Sequence, residues 1–203
     1  KPSELPEIKR VELSETMLTL KAGGGSDVDS FPWFDRPDPL VLHRAEVLLL
    51  DLGAIAKEMG EITEIGKRMA AFPLHPRFSR MFLEADREGA LPAVALMAAF
   101  TQVRSLIIPI GDKRVAKERE ELLHDEGAKQ SDFFVLLRAW NLARRENFRE
   151  SFCRRWGINA RAARQAGQIL EQFLRIADKQ GLDREGSAPG LERIQRCLLV
   201  GFS

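Results

Sequence analysis

The chain has 203 residues, 44% of them hydrophobic and 30% charged, with a formal net charge of +1. That is a globular profile, and it excludes a polycation: any basic surface has to be local. Two cysteines without metal-ligand spacing, Cys153 and Cys197, suit a reduced, cytosolic protein better than a disulfide scaffold. No apolar run reaches the ~18 residues of a membrane span, so no membrane partner is expected. The opening "KPSELPEIKR" has no signal-peptide pattern and no initiator Met. With the end at "CLLVGFS", the expectation is a piece of a longer protein.

In chain order, Pro6 opens a first helix through "EIKRVELSETMLTLKA", and the glycines of "GGGSD" end it. "SFPWFDRPDP" has three prolines in ten residues and cannot be regular helix; Phe31, Trp33 and Phe34 are expected to pin this loop onto a core. Pro39 opens a second helix, which Gly53 stops. Ala54–Lys57 and Glu61–Thr63 read as two short strands around Met59-Gly60. Thr63 is placed to cap a third helix, 64–72. Helix, helix, small β-wing, helix is a winged-helix pattern.

From Leu74 onward the periodicity is helical. "LPAVALMAAFTQV" is apolar nearly all round and is expected at the centre of a bundle. Residues 111–131 are charged and poor in large apolar groups, a surface excursion with one exposed helix. "SDFFVLLRAWNLARREN", "FRESFCRRWG" and "INARAARQAGQILEQFLRIADKQG" follow as helices, with Ser131 and Asn159 as caps. A turn-rich loop, 182–190, precedes a last helix. The fold class is therefore mainly α: a winged-helix domain over 1–72, then a helical bundle over 73–203. "FPLHP" forms the joint, with His75 carried between Pro73 and Pro76.

Catalytic motifs are missing. The chain has no G-x-x-x-x-G-K-[ST] phosphate loop and no G-x-G-x-x-G after a strand. His43, His75 and His124 lie far apart and none pairs with Cys or Glu at zinc spacing. No catalytic residue and no metal site is expected.

Local charge is the informative feature. Between Arg138 and Arg175 there are nine arginines, no lysine and three acids, Glu146, Glu150 and Glu171, a local net charge of +6. Guanidinium forks suit phosphate because they bond two oxygens at once. On the helix over 158–177, one side carries Arg161, Arg164, Gln165, Gln168, Gln172 and Arg175 with little acid. A solvated helix more often interleaves Glu with Lys or Arg. Such a face can hold a nucleic-acid backbone, or it can be a solvated or packing face. Trp140, Trp156 and Phe148 are interleaved with the arginines and fit a bundle core better than a stacking platform. The third winged-helix helix offers only Lys67 and Arg68, which is thin for a major-groove reader and argues against a DNA-binding transcription factor.

Four stretches, "LPEIKRVELSETMLTLKAGG", "FPWFDRPDPLVLHRAEVLLLDLGAI", "GEITEIGKRMAAFPLHPRFSRMFLEA" and "NFRESFCRRWGINARAARQAGQILEQF", together resemble the C-terminal accessory region of DEAH-box RNA helicases. The match is clearest over 5–180. It departs at 111–130, which is not a constant element, and at "SDFF", where Phe133 stands in place of a His that many relatives carry. The resemblance implies a winged helix followed by a ratchet, or helicase-associated, domain. It also implies a parent that binds ATP with Mg²⁺ between two RecA-like domains, binds single-stranded RNA, and carries an OB-fold domain afterwards. This fragment would help close the RNA channel and couple it to the motor. It would be inactive alone and hold no cofactor itself. Arg104, Ser105, Asn159, Arg161, Arg164 and Gln165 occupy the segments expected to face RNA. The location implied is cytoplasmic, or nuclear in a eukaryote. The alternative is a protein-interaction module that recruits a helicase activator, of glycine-patch or other type, with little direct RNA contact.

Overall fold

The computed structural model describes residues 13–25, 28, 31–58, 60–124, 131–187 and 189–202. The start expected at Pro6 lies outside them. Ten helices account for the regular structure of these residues, and none of them forms a strand. By packing, the chain divides into two compact units, one formed by 1–87 with 195–203 and the other by 88–194.

The first unit holds α1 (Ser14–Ala22), α2 (Pro39–Asp51), α3 (Glu64–Ala70), α4 (Pro76–Arg87) and the last part of α10 (Leu191–Phe202). α1 stops where the glycines begin. Helix α2 starts with Pro39 at its first position and the Asp38 carboxylate accepting from the Leu40 N–H at 2.8 Å. Met17, Leu18, Ala45, Leu49, Met69, Phe72 and Phe82 are buried between α1, α2, α3 and α4. Phe72 and Phe82 meet edge to face at 5.2 Å, within the favoured range for aromatic pairs.

The expected pair of wing strands is reduced to one antiparallel bridge, Ile55 with Ile62. Ala56 N–H donates to Glu61 at 2.8 Å and Thr63 N–H to Ala54 at 2.9 Å, and the pairing ends there. Thr63 explains why: its hydroxyl accepts from the Gly66 N–H at 3.0 Å and starts α3, so the chain turns helical as soon as the bridge is made.

The loop before α2 also differs from expectation. Phe34 is fully solvent-exposed, and Phe31 meets Trp33 edge to face within the loop. The buried residue of this loop is Pro37.

Between α3 and α4, His75 Nδ1 accepts from the Arg77 N–H at 3.3 Å, and the His75 carbonyl receives the Phe78 N–H at 2.9 Å. The histidine caps α4. Arg77 then bonds the Gly201 carbonyl of α10 at 2.6 Å and lies 5.7 Å from the Phe202 ring centroid.

The second unit holds α5 (Leu91–Thr101), α6 (Lys113–Leu123), α7 (Asp132–Arg145), α8 (Glu150–Arg155) and α9 (Ala160–Lys179). α5 is buried along most of its length, from Leu91 through Phe100, and packs on α9 and α7. α6 is the exposed helix of the charged excursion. Ser131 caps α7 by accepting from the Phe133 N–H at 3.3 Å.

Candidate nucleic-acid interface

The site is built around the start of α9. Asn159 Oδ1 accepts from the Ala162 N–H at 3.1 Å and opens the helix. Ala162, Ala163, Ala166, Leu170, Phe173, Leu174 and Ala177 are its buried positions. Small residues at the N-terminal end let it approach closely. Trp140 of α7 is buried against it and its indole N–H donates to the Ala163 carbonyl at 2.8 Å. Gly167 leaves room for that indole: a methyl group there would come to 3.3 Å of a Trp140 ring carbon.

A second contact brings the segment after α5 to the same place. Ile107 bridges Ile158, the Ile108 N–H donates to Gly157 at 2.9 Å, and the Asn159 N–H donates to Leu106 at 2.8 Å. Gly157 makes this pairing possible. Its φ is +58°, and a Cβ there would lie 2.7 Å from the Ile108 carbonyl.

The result is an open groove of about 380 Å³ lined by Gln102, Val103, Arg104, Asn159, Arg161, Ala162 and Gln165. Four of the six expected residues, Arg104, Asn159, Arg161 and Gln165, line it together. Ser105 is exposed beside it and is not part of the lining. Arg164 points away from the groove, donating to the Phe148 carbonyl at 2.9 Å and pairing with Glu150 at 3.4 Å. Phe148 and Asn147 have φ of 53° and 51°, an unusual conformation for side-chain-bearing residues, so Arg164 braces a strained turn.

Two guanidinium groups and the positive end of a 20-residue helix dipole share this groove, and its lining contains no acid. Amides from Gln102, Asn159 and Gln165 add neutral donors and acceptors. The arrangement can hold an anion and orient it. Much of the remaining arginine block is committed internally: Arg144 lies 5.1 Å from the Trp140 ring centroid, Arg155 lies 5.3 Å from that of Trp156, and Arg149 pairs with Glu146 at 2.7 Å. Burial raises the Cys153 thiol above its ordinary pKa; the nearby Arg164 charge works against that shift and Glu150 adds to it.

Gln102 and Val103 carry no signal in the sequence, because they join the site only through the 107–158 bridge, a contact without periodicity. A groove of about 470 Å³ between α6 and α7, lined by Leu122, Leu123, Arg138, Asn141, Leu142 and Arg145, has the same non-local origin. In the first unit Lys67 pairs with Glu64 at 2.6 Å, which leaves α3 poorer still in available cations. Among the described residues no group of three or more His, Cys, Asp or Glu side chains stands close enough together to hold a metal ion. None of the described helices is long and apolar enough to cross a membrane.

Fold and groove define the class: a winged helix joined to a helical ratchet. Residues 45–74 match the helicase associated domain (HA2), winged-helix, and residues 75–153 match the helicase associated domain (HA2), ratchet-like. The chain carries both helicase associated (HA2) domains, winged-helix and ratchet-like, and is similar over nearly its whole length to ATP-dependent RNA helicases. It is 27% identical over 202 residues to the probable ATP-dependent RNA helicase DHX35 of Homo sapiens, covering 98% of this chain. It is 27% identical to ATP-dependent RNA helicase HrpA of Escherichia coli (97% of this chain) and to the pre-mRNA-splicing factor ATP-dependent RNA helicase prp22 of Schizosaccharomyces pombe (99%). The chain spans 28%, 16% and 17% of those three relatives.

Proposed function

We propose that this chain is the RNA-guiding accessory module of an ATP-dependent DEAH-box RNA helicase. It forms part of a channel for single-stranded RNA and couples that channel to RecA-like motor domains of the same parent, beside an OB-fold domain. In this reading ATP and Mg²⁺ are held by the RecA-like motor domains of the parent. The parent works in the cytoplasm, or in the nucleus if eukaryotic. The observation that carries the reading is the acid-free groove in which Arg104, Asn159, Arg161 and Gln165 converge at the positive end of α9.

Changing Arg104 and Arg161 together to Ala tests it. RNA affinity of the chain should fall about tenfold or more, as expected when charge-assisted hydrogen bonds are lost. The slope of log affinity against log salt should flatten by about 1.4, two phosphate contacts at about 0.7 each on a single strand. Unchanged affinity and slope would refute the site. In the intact helicase, RNA-stimulated ATP hydrolysis should weaken in parallel.

The second reading, recruitment of a protein activator, draws on the winged-helix unit. Phe34 is fully exposed there, and Leu40 and Val47 of α2 are 55% and 40% exposed. Leu40→Ser with Val47→Ser should abolish capture of such a partner and leave RNA affinity intact.

A further inference from the structure

The groove is one end of a longer track. At 100° per residue, Arg161, Gln165, Gln168, Gln172, Arg175 and Lys179 fall within about 80° of the circumference of α9. All six are exposed, and no other residue of the helix falls in that arc. From first to last they span about 27 Å at 1.5 Å per residue. The two acids of the helix, Glu171 and Asp178, lie outside the arc, and Glu171 faces Arg184 at 3.5 Å. Cations stand at both ends of the track and three primary amides stand between them. The side chains of the three glutamines make no hydrogen bond to another described residue.

This pattern differs from the two ordinary designs. A solvated helix alternates acids and bases for i,i+4 pairing. A phosphate rail repeats its cations along the backbone it neutralises. A glutamine amide both donates and accepts. So does the ribose 2′-hydroxyl, whereas deoxyribose presents no group at that position. Resting on the RNA-guiding function proposed above, we infer that the middle of α9 recognises ribose: Gln168 and Gln172 hydrogen-bond to 2′-hydroxyls of a strand anchored at Arg161 and at Arg175 and Lys179. The chain therefore distinguishes single-stranded RNA from single-stranded DNA of the same base sequence.

The test is a fluorescence titration of the 203-residue chain with uridine, deoxyuridine and 2′-O-methyluridine decamers, for the unaltered chain and for Gln168→Ala/Gln172→Ala. Gln165 stays in place because it also lines the groove. Alanine suits an exposed helical position, and a thermal melt confirms that the variant is folded. The unaltered chain should prefer RNA over DNA by roughly fivefold or more, the worth of two neutral hydrogen bonds. The variant should bring that ratio close to one by weakening RNA binding, with DNA affinity unchanged. The 2′-O-methyl strand should bind like DNA; if it binds like RNA, the preference comes from sugar shape and the inference falls. Equal binding of RNA and DNA by the unaltered chain, or an unchanged ratio in the variant, overturns this inference and leaves the groove's function standing. No binding of either strand overturns both.

Discussion

Helices α6 and α9 both present a polar face to solvent in the same compact unit, and they do it with opposite charge designs. α6 pairs its charges along itself: Arg114 with Glu118 at 3.2 Å and Lys117 with Glu121 at 3.9 Å. These two cations are answered one turn later, which is how a helix becomes soluble without a partner. α9 leaves its outer arc without acids and sends Arg164 sideways to brace the turn at Phe148. The solvent faces of the two helices are thus distinguished by where the counter-charge is. In α6 it is internal; the outer arc of α9 carries no acid of its own.

The sharpest way to break this comparison is to unseat α9. Trp140→Ala removes a buried indole and leaves the Ala163 carbonyl without its donor, so stability should fall by about 3–5 kcal/mol. Urea unfolding followed by circular dichroism would measure it, and a loss below about 1 kcal/mol would show that α9 is held elsewhere. Next in size is the contrast between two arginines one turn apart. Arg164→Ala should cost about 1–3 kcal/mol, because a buttress of a strained turn is lost, and should leave RNA affinity nearly unchanged. Arg161→Ala should do the reverse. The same urea series and an RNA titration separate them, and equal effects of the two substitutions would erase the distinction between brace and groove. The smallest effect belongs to α6. Arg114→Ala should change stability by less than about 0.5 kcal/mol, since the Arg114–Glu118 pair is solvent-exposed, and RNA affinity should not move. A drop in RNA affinity would mean that the α6 cations are as available as those of α9.

Local chemistry was legible in the sequence. Thr63, Ser131 and Asn159 were recognisable as caps because a hydroxyl or amide ahead of an apolar-periodic run needs only its own next three residues to act. The buried course of α5 followed from its composition for the same reason. What depends on distant partners was not legible. The 107–158 bridge that brings Arg104 to Arg161 leaves no periodic trace. The diversion of Arg164 to Phe148 needed the turn at 147–148, where two side-chain-bearing residues adopt positive φ. The wing strands were overestimated because β-propensity over four residues says nothing about how soon a cap ends the pairing. Phe34 was misjudged because aromatic content suggests anchoring, and only the backbone decides which ring faces inward.

Gly157 also constrains how this chain can vary. Any missense change in a glycine codon adds at least a Cβ, and here that carbon meets the Ile108 carbonyl at 2.7 Å in a backbone conformation that side chains rarely adopt. Gly167 lies within a helix, and a Cβ there would meet a Trp140 ring carbon at 3.3 Å, a tight contact that a shift of a few tenths of an ångström relieves. A library of random single-codon variants selected for the folded chain should therefore empty at 157 and keep alanine at 167. The groove inherits that rigidity: its side chains are free to drift, whereas the peptide that brings its two halves together is not.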